Sequence, residues 1–298
     1  MRKRIIEYGI FIPMLLALAS CGGRLAPDPD YPEPMTFAPL LPGAPGRATA
    51  TSFEDGDEIG IFAVSYDAQG MPRRLEISGN WANNSKAVND GGEWTVSPPV
   101  YWHEDDIFDI YSYYPYASDV RSIENFRFEL ESDQRGKGLT LSDFLWAKTS
   151  SVCREAGTVP LHFTHRLSRL DINLVKGPDY EGDLPSDAIV KVHGTVPVAL
   201  VNLESGDVEK DPESPVGTLI ACCNAPGSYS AIVVPQKILN QIPLVEVIVD
   251  DVSYLLSSKF IFGSGMRHSL DIVLSDNPDK VLISIGGGVI DWNLHHET

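Results

Sequence analysis

Val159-Pro160-Leu161-His162-Phe163-Thr164-His165-Arg166-Leu167-Ser168-Arg169-Leu170-Asp171-Ile172-Asn173-Leu174 changes phase in its middle. Leu161, Phe163, His165 and Leu167 alternate on one face of an extended chain, whereas Leu170, Ile172 and Leu174 alternate on the other. Side chains on a strand repeat every two residues, so a change of parity inside one apolar run implies a bulge or a crossing between sheets. The spacing places that event between Leu167 and Arg169.

The same period-two reading extends in both directions. Upstream, Phe53-Glu54-Asp55-Gly56-Asp57-Glu58 followed by Ile59-Gly60-Ile61-Phe62-Ala63-Val64 reads as a turn feeding a buried strand. In the stretch 107–116, Phe108, Ile110, Ser112 and Tyr114 share one face and Ile107, Asp109, Tyr111 and Tyr113 the other, a pattern that suits a half-buried pleated surface. Residues 65–92 and 117–142 are polar and Gly-punctuated, which predicts short strands and loops, and 143–148 reads as a further short apolar segment. Downstream, residues 176–188 form a Gly/Pro/Asp-rich link, the best domain boundary in the chain. Beyond it, 189–192, 196–203, 229–236 and 267–274 read as strands, with a hairpin of 244–249 and 254–262 around Asp250-Asp251. No long apolar stretch of helical period follows the first twenty residues. Many short strands between turn signals predict an all-β protein of two antiparallel β-sandwiches, at 48–178 and 179–298.

The head carries separate information. Arg2, Lys3 and Arg4 precede a short apolar run, and Leu18-Ala19-Ser20-Cys21 closes it. A basic start, a short apolar core and a small-residue exit make an export signal over residues 1–20. Residues 22–46 are rich in Gly, Pro and Asp and lead to Gly46-Arg47-Ala48-Thr49, so 21–47 reads as a flexible, accessible arm with one basic residue where folded sequence begins. The 298-residue chain has a formal charge of -18, and losing Arg2, Lys3, Arg4 and Glu7 with the signal, a net +2, leaves about -20. Such a chain is repelled by nucleic acid and anionic lipid. Of four cysteines, Cys222 and Cys223 are adjacent and poorly placed to bridge each other; a bridge from Cys153 to one of them is left open. There is no C-x-x-C motif.

The residues offer little chemistry. His162 and His165 lie on opposite faces of a strand and cannot share a metal there. Glu104, Asp105, Asp106 and Asp109 lack the alternating spacing of calcium ligands. Gly286-Gly287-Gly288 does not fit the dinucleotide spacing, His295 and His296 sit in a polar tail, and no G-x-S-x-G elbow is present. Tyr101, Trp102, Tyr111, Tyr113, Tyr114 and Tyr116 could stack on sugar rings, but aromatic residues in strands are more often core. Nothing assembles a nucleophile, a base and an orienting group, so the expectation is a non-enzymatic protein needing no cofactor or metal.

Several segments resemble the fimbrillin family, the Mfa-like subunits of type V pili. They are Arg47-Ala48-Thr49 leading to Phe53, Gly56 to Ala63, Tyr101-Trp102, Phe108 to Pro115, Asp143 to Ala147, Leu161 to Leu170, Val234-Pro235-Gln236 and Ile290-Asp291-Trp292. Leu18 to Cys21 likewise resembles the lipobox of bacterial lipoproteins, which implies acylation of Cys21 and transient or lasting attachment to the outer membrane. The fimbrillin resemblance implies two transthyretin-like β-sandwich domains, cleavage between Arg47 and Ala48, and assembly with other pilus subunits by strand exchange. A missing strand exposes backbone groups and an apolar groove, and an incoming strand satisfies both. The candidate donor is the tail: Val281, Ile283 and Ile285, then, past the glycines, Ile290, Trp292 and Leu294. The alternative for the tail is the last strand of its own domain. Alternatives for the whole chain are a lipid-retained pilus anchor, or a surface lipoprotein that binds a host or bacterial receptor or glycan through the aromatic cluster.

Overall fold

The computed structural model describes residues 33–42, 52–103, 106–181, 183–275, 282–284 and 289–293, with only the backbone of 282–284. Within this set the protein is all-β apart from one helical turn, Gly138–Leu141, and a 3-10 turn at Arg154–Ala156. Pro34–Thr298 forms one compact unit.

Its largest amino-terminal sheet runs β4 (Glu93–Ser97), β3 (Ala82–Asp90), β2 (Glu58–Ser65), β5 (Phe108–Tyr114), β7 (Leu145–Val152), β9 (Thr164–His165). A two-stranded sheet pairs β1 (Phe37–Leu40) with β8 (Val159–His162). A three-stranded sheet holds β13 (Val208–Lys210), β12 (Val198–Val201) and β6 (Phe126–Glu129). The remaining two sheets are β14 (Gly217–Ile220), β11 (Ile189–Thr195), β17 (Gln236–Val249), β18 (Val252–Phe262), and β15 (Cys222–Ala225), β16 (Ser228–Val233), β10 (Ser168–Lys176), β19 (Met266–Leu274), β20 (Leu282–Ser284). There β21 (Val289–Asp291) also pairs with β19. β10 precedes the Gly/Pro/Asp-rich link, yet it lies between β16 and β19, which follow it.

The central strands explain the apolar runs. Ile59, Ile61 and Ala63 of β2 enter one core with Phe108, Ile110 and Tyr114 of β5. Phe62 and Val64 enter a second core with Tyr111 and Tyr113. The faces are those that parity assigns. The expectation of a half-buried strand at β5 gives way, however, because all seven of its residues are buried. This sheet is covered on both sides, and a strand covered on both sides reads as a continuous apolar run. Gly60 permits the close packing: a Cβ there would lie 2.2 Å from the Tyr113 ring.

The phase change is a crossing, and it falls just before Leu167 rather than between Leu167 and Arg169. Leu161 and Phe163 belong to the first core, and Leu167, Leu170, Ile172 and Leu174 to the second. β9 ends beside β7, and three residues later β10 begins between β16 and β19. The hairpin at Asp250-Asp251 is also present, with both residues at positive φ (48° and 62°) between Val249 and Val252. Among the described strands, pairing is antiparallel except for β10–β19 and β1–β8, which are parallel. The first of these is reached through β11 to β18, the long connection that a parallel pair requires.

The polar face of β10 is buried too. Arg169 Nε donates to Asp171 Oδ1 at 2.9 Å, its Nη2 donates to Ser230 Oγ at 2.8 Å, and Ser230 Oγ donates to Asp171 Oδ1 at 2.7 Å. Arg267 donates to the other Asp171 oxygen. Burial opposes the Asp171 charge, but Arg169, Ser230 and Arg267 outweigh it and hold its pKa below the usual carboxylate value. Replacing Asp171 by Ala strips two guanidinium groups of their counter-ion. The expected cost is about 3–5 kcal/mol in denaturant unfolding. A loss within error of zero would show that the cluster is not coupled.

Candidate functional site

The site is the seat of β1. The arm expected to be flexible is ordered over 34–42, because Met35 and Phe37 are sunk in the first core at 3% and 6% exposure. Two residues apart, they point the same way and form a short apolar alternation inside a Pro-rich stretch. Pro34, Pro39 and Pro42 have no N–H to offer. β1 and β8 form a parallel ladder from Phe37↔Val159 to Leu40↔His162, and at its margins Val159 N–H donates to Thr36 O at 2.8 Å and Phe163 N–H to Leu40 O at 2.9 Å. On the other side Met35 N–H donates to Val100 O at 2.7 Å, and Pro34 bridges Tyr101. Thus β1 fills a cleft between β8 and the 100–101 segment.

The chain returns to the same place at Ser52 and Phe53. Phe53 packs edge-on against Trp94, Tyr114 and Phe163, with ring centroids 5.1, 5.7 and 5.4 Å apart. Leu41, Pro42, Ser52 and Phe53 line one cavity of about 60 Å³. Arg47, the candidate cleavage residue, and Ala48 lie outside the described residues, as does Cys21.

Opposite the arm, the cavity is closed by His165, Arg169 and Trp292. His165 and Trp292 stack with centroids 3.6 Å apart and planes 3° from parallel. His165 Nδ1 lies 3.0 Å from Asp143 Oδ1, and the Arg169 guanidinium sits 5.7 Å from the Trp292 ring centre. His165 N–H donates to Asn293 Oδ1 at 2.7 Å, Asn293 Nδ2 donates to His165 O at 3.2 Å, and Trp292 N–H donates to Gly265 O at 2.7 Å. Gly265 is at φ +65°, and a Cβ there would meet Asn293 Nδ2 at 2.8 Å. At the cavity wall, burial raises the Asp57 pKa. Burial, with Asp57 nearby, also raises that of Tyr114, whose hydroxyl donates to Asp57 Oδ1 at 3.2 Å.

The structure thus joins two stretches far apart in sequence, 161–170 and 290–293, with the arm beside them. Of the candidate donor residues, Ile290 is 38% exposed and Trp292 is buried at 8%. Ile283 lies in β20, whose backbone pairs with β19, and Val281, Ile285 and Leu294 lie outside the described residues. The tail's described parts are therefore strands of their own sheet.

Sequence reasoning missed β1 and the Asn293 bonds. The Met35-x-Phe37 alternation could have disclosed the first, whereas nothing local discloses the second. Of the aromatic cluster, Trp102, Tyr111, Tyr113 and Tyr114 are core residues, the reading that aromatic residues in strands favour, whereas Tyr101 is exposed and Tyr116 half-buried. Asp109, weighed for calcium, is buried and receives Tyr66 Oη at 2.8 Å and Lys148 Nζ at 3.1 Å. Asp106 contacts His103 at 2.9 Å, and Glu104 and Asp105 lie outside the described residues, as do Gly286–Gly288, His295 and His296. His162 is exposed. Cys153, Cys222 and Cys223 are free thiols.

The profile of the fimbrillin-like family matches residues 46–292, beginning beside Arg47 and ending on Trp292. Among solved structures, a proposed cell adhesion protein of Bacteroides ovatus aligns at TM-score 0.70 and 16% identity, over 89% of this chain and 99% of its own. A proposed cell adhesion protein of Bacteroides uniformis aligns at TM-score 0.64 and 19% identity, over 80% of this chain and 93% of its own. A fimbrial protein of Bacteroides ovatus aligns at TM-score 0.53 and 16% identity, over 83% of this chain and 49% of its own. At these identities the likeness is one of fold. No curated protein matches the sequence.

Proposed function

The chain belongs to the fimbrillin-like family, and we propose that it is a non-enzymatic subunit of a surface fimbria that mediates adhesion and assembles by strand exchange at the seat of β1. The observation that supports this reading is the short, Pro-containing segment of β1, which pairs at the edge of β8, buries Met35 and Phe37 and lies upstream of Arg47. Acylated at Cys21, the subunit reaches the outer membrane. Cleavage between Arg47 and Ala48 then frees β1 together with the lipid. The vacated cleft presents the N–H groups of Val159 and Phe163 and the pockets of Met35 and Phe37 to a strand from another subunit. For the tail to be that strand in a neighbour, it must first leave β19 and the Trp292 latch.

Intact-mass measurement of protein taken from the cell surface tests the cleavage. The expected species starts at Ala48 and carries no lipid. A surface population that retains acylated Cys21 and contains no chain starting at Ala48 would refute the cut and leave a lipid-retained anchor.

A further inference from the structure

Among the described sheets, the edge strands are short with one exception. β1, β8, β6, β14 and β15 have four residues each, β4 five, β13, β20 and β21 three each, and β9 two. β18 has eleven, paired to β17 on one side only. Proteins guard free edges with short strands, charges, prolines or bulges. β18 (VSYLLSSKFIF) contains no proline and one charge, Lys259, and the extra residues at the two register shifts lie in β17. Beside the edge is an apolar groove of about 490 Å³ lined by Leu239, Phe260, Ile261, His268 and Val289. Leu239, Leu255, Ile261 and Val289 are 68%, 51%, 59% and 59% exposed.

We infer that this edge pairs with the β18 edge of a second copy, antiparallel and centred on Ser257, to form a continuous eight-stranded sheet. The strand is self-complementary in that register. Each residue pairs with one of its own parity, so the two faces remain aligned. Tyr254 faces Phe260 of the second copy, extending the apolar row over the groove. Lys259 faces Leu255 rather than the other Lys259, so no like charges are opposed. The paired ribbon is about 36 Å long. The surface is separate from the cleft of β1, which belongs to a different sheet, and does not depend on strand exchange there.

The register gives the test. In an antiparallel pair, opposed Cα atoms are about 4.5–5.5 Å apart, within the range a disulfide spans. Ser257 and Ser253 are both exposed. Under mild oxidation Ser257→Cys is expected to become predominantly a reductant-sensitive dimer. Ser253→Cys, which would face Ile261, and the parent protein, which carries the same native thiols, should not. In sedimentation, the parent is expected to dimerise with rising concentration, and Ser257→Lys, which opposes two ammonium groups, to lose the dimer. A parent that stays monomeric at every concentration, or equal crosslinking by Ser253→Cys, would overturn the inference.

Discussion

Cutting the folded protein between Arg47 and Ala48, and letting the released segment dissociate, is expected to lower its stability by roughly 3–6 kcal/mol. That is the contribution of two large apolar side chains, Met35 and Phe37, at about 1.5–3 kcal/mol each. The loss is compounded at the backbone, where Val159 and Phe163 lose the carbonyls that accept their N–H groups. Denaturant unfolding of cut and uncut protein measures the difference. The cut chain is expected to self-associate in size-exclusion chromatography, since an apolar cleft beside a free strand edge is a template for addition. A synthetic peptide of residues 33–42 should restore the midpoint and suppress association. A cut chain that keeps both its midpoint and its monomeric size would mean that β1 is not the strand whose removal activates assembly.

The second large effect is at Trp292. Replacing it by Ala is expected to cost about 3–5 kcal/mol, the usual range for truncating a buried aromatic ring. Its stack on His165 and its contact with Arg169 go with it. Differential unfolding of wild-type and Trp292→Ala protein gives the value, and a change below about 1 kcal/mol would show that the latch contributes little. Deleting residues 280–298 separates latch from donor. The uncut deletion protein should retain the β spectrum of the amino-terminal sheet, in which no described strand of the tail takes part. The cut deletion protein should fail to polymerise. Polymers of undiminished length would remove the tail from the donor role.

Much of this architecture is local in origin. The two faces of Phe108–Tyr114, the crossing near Leu167 and the turn at Asp250-Asp251 follow from period-two alternation and turn chemistry, which act over a few residues. The full burial of β5 does not. Whether a strand is covered on one side or both depends on which sheets pack against it. The arm shows the same limit from the other side. Its Gly and Pro content reads as flexible, yet a cleft made by Val100 and Val159–Phe163 gives residues 34–42 a place to be ordered. The cleft is built by residues that follow Phe37 by more than sixty positions.

By itself, the sequence determined that the chain is all-β, where it changes sheet, and which residues resemble a fimbrial family. These properties are written in alternation, turns and short motifs, each read within its own neighbourhood. Only the tertiary structure decided that β1 is seated in a cleft, that His165 stacks on Trp292, and that β18 alone among the described edges is long and unguarded. Each of these is a meeting, or a missing neighbour, between segments far apart in the chain. Such relations arise from sheet order and packing, and local pattern carries no record of them.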